Sequence, residues 1–176
     1  MIGYSSKPAS IAVRQSLLAL LLVAVAAVAS AADHPLIGRE APDFALHAVA
    51  GSNVRLSEHR GDVVVLSFWG SRCGLCRGQL AALDRSLATY QSAGLKVLGI
   101  NVDDDQTQAI DFAKTQAAGF AMLVDPRKAV SRAYQVDNLP MTVLIDRNGV
   151  VRHVYRDYDS KSDALYLQQL RALLNE

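Results

Sequence analysis

Apolar and polar positions divide most of the chain into short buried runs separated by turn signals. Asp62 to Trp69 (DVVVLSFW) is a nearly continuous run of β-branched and aromatic residues between Gly61 and Gly70, and Leu95 to Val102 (LKVLGINV) is a second. Short apolar runs bounded by glycine read as strands covered on both faces, as in a parallel sheet. Between them, Gly74 to Ala93 has Leu80, Leu83, Leu87 and Tyr90 at spacings of three and four, and Gly94 closes the segment. That is an amphipathic helix with its stop signal. A strand, helix and strand in this order make two parallel neighbours in one sheet.

The flanking segments complete the outline. Ala41 to Leu46 alternates apolar and polar, Gly51-Ser52-Asn53 is a turn signal, and Val54-Arg55-Leu56 follows. This predicts an N-terminal β-hairpin. A helix is expected from about Gln106 to Gln116, then a short strand at Ala121 to Val124. Asp125-Pro126 is expected to open another helix, with Pro at its first position and Val130, Ala133 and Tyr134 facing inward. Met141 to Ile145 and Val150 to Tyr155 flank Arg147-Asn148-Gly149, and Asn-Gly between apolar runs is the strongest short hairpin signal. Ser160-x-x-Asp163 has the form of a capping box before a helix carrying Leu165, Leu167, Leu170, Leu173 and Leu174. A parallel half followed by an antiparallel hairpin predicts an α/β domain with a mixed central sheet flanked by helices. With an N-terminal β-hairpin and an extra helix inserted before the short strand at Ala121 to Val124, that arrangement is thioredoxin-like.

The first thirty residues follow a different pattern. Residues 1–32 hold no acid; they carry Lys7 and Arg14, an apolar stretch from Leu17 to Val28, and then Ala29-Ser30-Ala31-Ala32. A positive start, a short apolar run and an A-x-A ending make an export signal. The expected organisation is a signal at 1–31, cut after Ala31 or Ala32, and one domain at 35–176. An uncleaved membrane anchor is the alternative. The expected location is the periplasm. Removing the signal takes away two cations and no acid, so the formal net charge goes from +1 to −1. Such a balance gives no reason to expect a nucleic-acid partner. No heptads or long apolar edges point to a dimer, so a monomer is expected.

The chain has two cysteines, Cys73 and Cys76. A bond between residues three apart closes too small a loop to stabilise the fold much, so the pair is read for its chemistry. Cys73 stands just past a buried strand, where helical sequence begins. Unpaired amides and the helix dipole favour a thiolate there, and helix N-termini and C-x-x-C spacing both make cysteine more reactive. The expected catalytic pair therefore acts through a mixed disulfide. Cys73 attacks a substrate disulfide and Cys76 resolves the intermediate. A single C-x-x-C is only half of a zinc site, and His34, His47, His59 and His153 have no ligand spacing. A copper(I) site made of both thiolates remains an alternative.

Two further signals accompany the pair. Pro140 in Asn138-Leu139-Pro140-Met141-Thr142 stands immediately before an apolar strand. A cis Leu139–Pro140 bond would set the backbone around Leu139 beside Cys73, where it offers edge hydrogen bonds to an extended substrate. Asp103-Asp104-Asp105 follows the strand expected beside Trp69. Asp105 with Gln108 reads as a helix cap, and Asp104 is a candidate proton carrier for Cys76. Trp69, Arg72 and Leu139 are the expected substrate contacts.

Together these residues resemble the TlpA-like (ResA-like) branch of the thioredoxin superfamily, over roughly Ile37 to Leu174. The resemblance rests on Ile37-Gly38-Arg39-Glu40-Ala41-Pro42-Asp43-Phe44, Leu56-Ser57 with Arg60-Gly61, Ser67 through Arg77, and Tyr134 through Gly149. It implies an exported or membrane-anchored enzyme that reduces protein disulfides, such as those of apocytochrome c or copper-centre assembly proteins. It also implies a membrane dithiol carrier as electron donor, and no cofactor beyond the redox-active disulfide. The family's cis-proline falls on Pro140 and its occasional acidic residue on Asp104. Arg72 stands where the family has Trp, Leu75 where Pro is common, Gln79 and Ala81 where a glutamate and a proline recur, and Ser67 at the usual buried aspartate. The Ala41-Pro42-Asp43-Phe44 opening is shared with peroxiredoxins. Those enzymes, however, place Thr three residues before the reactive cysteine, where this chain has Gly70.

Overall fold

The computed structural model describes residues 34–116, 118–159 and 163–176. The expected signal at 1–31 and the Ser160 capping position lie outside the described residues.

Seven strands form one mixed sheet in the order β2-β1-β5-β4-β3-β6-β7. These are β1 (Ala45–Ala48), β2 (Asn53–Arg55), β3 (Val63–Trp69), β4 (Leu95–Asn101), β5 (Ala121–Val124), β6 (Met141–Ile145) and β7 (Val151–Tyr155). The helices are α1 (Cys76–Tyr90), α2 (Gln106–Gln116), α3 (Ala129–Ala133) and α4 (Asp163–Leu174). β3, β4 and β5 run parallel, β6 and β7 complete an antiparallel hairpin beside β3, and the β1–β2 hairpin joins through β5. This is the thioredoxin-like α/β arrangement that the sequence predicts.

Alternation along β3 sorts the core. Val63 and Val65 pack with Leu83 of α1 and with Leu170 and Leu173 of α4 on one face. Val64, Leu66 and Phe68 meet Val130 of α3, Tyr134 and the N-terminal Phe44 on the other. Every residue of β3 is buried, which is why its sequence is apolar at every position but Ser67 rather than alternating.

Three expected boundaries move. The first strand starts at Ala45 rather than Ala41, because Asp43 turns aside to accept hydrogen bonds from Ser57 N (3.0 Å) and Ser57 Oγ (3.2 Å). α1 begins at Cys76, one short turn later than Gly74. Pro126 lies in a turn before α3, not at its first position, and Ala133 is exposed. Asp125 provides the helix start. Its carboxylate accepts from Ala129 N (3.0 Å), Ser131 N (2.8 Å) and Ser131 Oγ (3.0 Å), while Lys128 takes a left-handed φ of 55°.

Candidate active site

β3 ends at Trp69 and the chain turns through Gly70, Ser71 and Arg72 into the cysteine pair. Cys73 N donates to Gly70 O (3.1 Å), closing that turn. Cys73 and Cys76 are joined by a disulfide with Cα atoms 5.3 Å apart. Their surroundings differ sharply. Cys76 is 0% exposed, packed with Trp69, Leu80, Ala109, Ala113 and Met122, whereas Cys73 is half-buried and lines an open cleft.

The start of α1 has neither a side-chain cap nor an acidic residue in its first turn. In their place Cys76 N donates to Cys73 Sγ at 3.1 Å. The sulfur therefore occupies the position of an N-cap acceptor. A negative charge there is favoured by the unpaired amides and the helix dipole, the setting that makes a cysteine a competent nucleophile.

Leu139–Pro140 is a cis peptide. Leu139 is half-buried on the cleft and Pro140 is buried. Gly70 joins this loop to the cysteine turn. A Cβ built there would meet Asp103 Oδ1 at 2.9 Å and Leu139 Cδ1 at 3.1 Å, so a side chain at 70, such as the threonine that peroxiredoxins place three residues before their cysteine, would have to displace the ends of those two side chains.

Of the expected substrate contacts, Arg72 is exposed beside Cys73 and Leu139 lines the same cleft. Trp69 is a correction. Its side chain is 0% exposed, stacked on Phe112 with ring centroids 5.0 Å apart, and it supports the pair from below rather than touching substrate. Asp104 also departs from expectation. It stands on the cleft rim, fully exposed, with Oδ1 3.1 Å from Lys128 Nζ. Asp105 does cap α2, accepting from Thr107 N (2.9 Å) and Gln108 N (3.3 Å).

Two groups near the pair escaped the sequence reading. Asp103, not Asp104, turns its carboxylate to the cysteine turn, accepting from Ser71 N at 2.7 Å. Behind the cysteines lies a buried polar triad. Ser67 Oγ donates to Gln79 Oε1 (2.9 Å), and Gln79 Nε2 donates to Thr142 Oγ1. Ser67 and Thr142 face each other across β3 and β6, so Gln79 ties α1 to both strands. The signal for the triad was present in the sequence, since a polar Ser67 interrupts an otherwise apolar strand. Among the described residues no group of three or more His, Cys, Asp and Glu is placed to hold a metal ion.

Thiol–disulfide exchange follows from this geometry. With the pair reduced, the Cys73 thiolate attacks a disulfide in the cleft, forming a mixed disulfide and expelling one substrate thiolate. Cys76 then attacks the Cys73 sulfur, releases the second substrate thiol and restores the Cys73–Cys76 bond. Two electrons pass from the dithiol to the substrate, and the reverse sequence oxidises a substrate dithiol.

Residues 37–154 match the AhpC/TSA family. The chain is 34% identical over 127 residues to the thiol-disulfide oxidoreductase ResA of Geobacillus kaustophilus, spanning 72% of this chain and 73% of that one. A Chlorobium tepidum structure described as a thiol:disulfide interchange protein DsbE is 35% identical, with a TM-score of 0.76 over 78% of this chain and 97% of its own. A 2-Cys peroxiredoxin from Plasmodium vivax, 24% identical with a TM-score of 0.65 over 78% of this chain and 97% of its own, shares the fold. This chain belongs to the AhpC/TSA family, and within it to the thiol–disulfide oxidoreductases that ResA represents.

Proposed function

We propose that the protein reduces disulfides of exported proteins in the periplasm and is returned to its dithiol form by a membrane dithiol carrier. It acts as a monomer, with no cofactor beyond its own cysteine pair. The observation that carries this reading is the inequality of the two sulfurs, one on an open cleft of about 1050 Å³ and the other sealed. Only Cys73 is placed to meet a bulky protein disulfide, and only a protected Cys76 keeps the resolving step intramolecular. Resemblance to the ResA-like branch supports the reductive direction and points to apocytochrome c or copper-centre assembly proteins as substrates. The acid-free, apolar 1–32 segment supports export.

Equilibration of the pair in glutathione or dithiothreitol buffers tests the direction. A potential near that of thioredoxin, ~−270 mV, is expected, whereas one near ~−120 mV would mark an oxidant. N-terminal sequencing of protein recovered from the periplasm is expected to start at Ala32 or Asp33. An intact Met1 terminus in the membrane fraction would replace cleavage with anchoring.

A further inference from the structure

We propose that Asp103 is a positioning residue for thiol–disulfide exchange, holding the turn that presents Cys73. Asp103 leaves β4 at the sheet edge where β3 delivers the cysteines. Among the described residues, both hydrogen bonds that its side chain accepts land on one oxygen. Oδ2 accepts from Ser71 N at 2.7 Å and from Asn101 Nδ2 at 2.9 Å. Asn101 is 2% exposed and returns the contact, its Oδ1 accepting from Asp103 N at 2.9 Å. Asn101 Nδ2 also reaches Trp69 O at 3.5 Å. The carboxylate is therefore braced by a buried amide that is itself fixed to the end of β3.

The second oxygen sits against Gly70. A Cβ at 70 would lie 2.9 Å from Oδ1, with Leu139 Cδ1 3.1 Å away on another side. Asp103 thus holds the turn by a hydrogen bond at Ser71, while its second oxygen occupies the space that a side chain at Gly70 would need. Cys73 follows two residues after Ser71, and its own amide donates back to Gly70 O. Arg72, between them, is exposed. The backbone bond from Val102 N to Trp69 O (2.9 Å) joins the end of β3 to the segment after β4, and the Asp103 contact extends that tie to the start of the turn.

Exchange is completed when Cys76 attacks the Cys73 sulfur, with attacking, central and leaving sulfurs in line; the first two are both held by the fold, so the turn sets their alignment. A misplacement of ~1 Å costs on the order of 100-fold in rate. Alkylation of Cys73 by a small free reagent does not involve Cys76 and needs no such alignment within the protein. Loss of the tether should therefore slow exchange far more than alkylation, a separation that a general loss of stability would not produce. Because both hydrogen bonds end on Oδ2, asparagine preserves them by presenting its carbonyl oxygen there, and alanine does not.

The test uses reduced full-length protein and three variants, Asp103→Ala, Asp103→Asn and Gly70→Ala. Exchange with glutathione disulfide and Cys73 alkylation by iodoacetamide are followed across pH, with urea unfolding as a fold control. Expected for Asp103→Ala is a loss of ~10- to 100-fold in exchange, with plateau alkylation at high pH within about threefold of wild type, while Asp103→Asn exchanges within about threefold. Gly70→Ala, whose Cβ displaces the carboxylate without removing it, should reproduce the alanine result and carries the test if Asp103→Ala does not fold. The proposal is overturned if either alanine variant exchanges within threefold of wild type. It is equally overturned if exchange and alkylation fall in parallel, or if folded Asp103→Asn is as slow as Asp103→Ala. Glutathione disulfide is used because its exchange does not depend on the identity of the protein substrate, so failure here leaves the reductase reading standing.

Discussion

Gln79→Glu places a carboxyl group in the triad behind the cysteines, where the family commonly has one. Gln79 is 5% exposed, and its partners Ser67 and Thr142 are 0% and 2% exposed. The acid form of glutamate matches glutamine in length, accepting from Ser67 Oγ and donating to Thr142 Oγ1. The ionised form must shed its water in a sealed site. Complete burial raises a carboxyl pKa by up to ~3–5 units. Two hydroxyls able to donate offset part of that, leaving a rise of ~2 units from ~4.3. At 1.36 kcal/mol per unit, the differential is ~2.7 kcal/mol. The folded variant would hold its proton more tightly than the unfolded chain. Its stability relative to wild type is then fully present below pH ~4.3 and is lost as pH rises towards ~6.3. Urea unfolding of the oxidised proteins at pH 4 and 7.5 measures this, with the slope m checking that the unfolded states match. Parallel behaviour of variant and wild type, within ~0.5 kcal/mol at both pH values, would refute the view of a sealed, neutral triad.

Other outcomes follow from the same contacts. Cys73→Ala should abolish exchange, and Cys76→Ala should accumulate mixed disulfides visible on non-reducing gels; full activity in both would sink the mechanism. Tyr134→Phe removes the hydrogen bond from Tyr134 Oη to Pro42 O (2.9 Å) but keeps the ring between Phe44 and Phe68. It should cost ~1 kcal/mol in urea unfolding, and a loss above ~3 kcal/mol would mean that the ring itself moves. His34 is held below the usual histidine range by burial and then by the Arg156 charge, and His153 by burial and then by Arg152. The unfolded chain takes up their protons first, so the stability they contribute is present above pH ~6.5 and declines as pH falls towards their folded values. Urea midpoints between pH 7.5 and 5 should fall less in His34→Asn and His153→Asn than in wild type, and equal slopes would contradict this.

The buried strands and the reactive pair were legible because each rests on a local pattern. β3 and β4 are apolar runs whose length fits only strands, and the cysteines sit where a strand gives way to a helix. What escaped depends on direction rather than composition. Asp103, Asp104 and Asp105 are chemically alike, yet one braces the cysteine turn, one faces solvent beside Lys128, and one caps α2. Extending the period-two alternation of β4 past its end puts Asn101 and Asp103 on one side and Asp104 on the other. That periodicity was the usable signal. Trp69 was misplaced for a related reason. Nearness in sequence to Cys73 suggested the surface, but Trp69 continues the buried alternation of Val63, Val65 and Ser67 and ends under α1 and α2. The Asp125-Pro126 start was misread because proline gave the louder signal while the aspartate carboxylate set the helix.

The two sides of the cysteine pair divide the work between them. Cys76 is 0% exposed and packed with Trp69, Leu80, Ala109, Ala113 and Met122, and the triad of Ser67, Gln79 and Thr142 further back carries no ionisable group. A sealed, apolar setting disfavours charge. Cys73 has the opposite setting, with a helix amide directed at its sulfur and an open cleft in front. Asp103 lines the same cleft and is tied to the backbone amide of Ser71. The substrate thiolate expelled into the cleft during resolution is a base able to take the proton that leaves Cys76. Resolution is in this way linked to the presence of a leaving group able to take that proton, which favours completing exchange on a bound disulfide over idle reaction of the buried thiol.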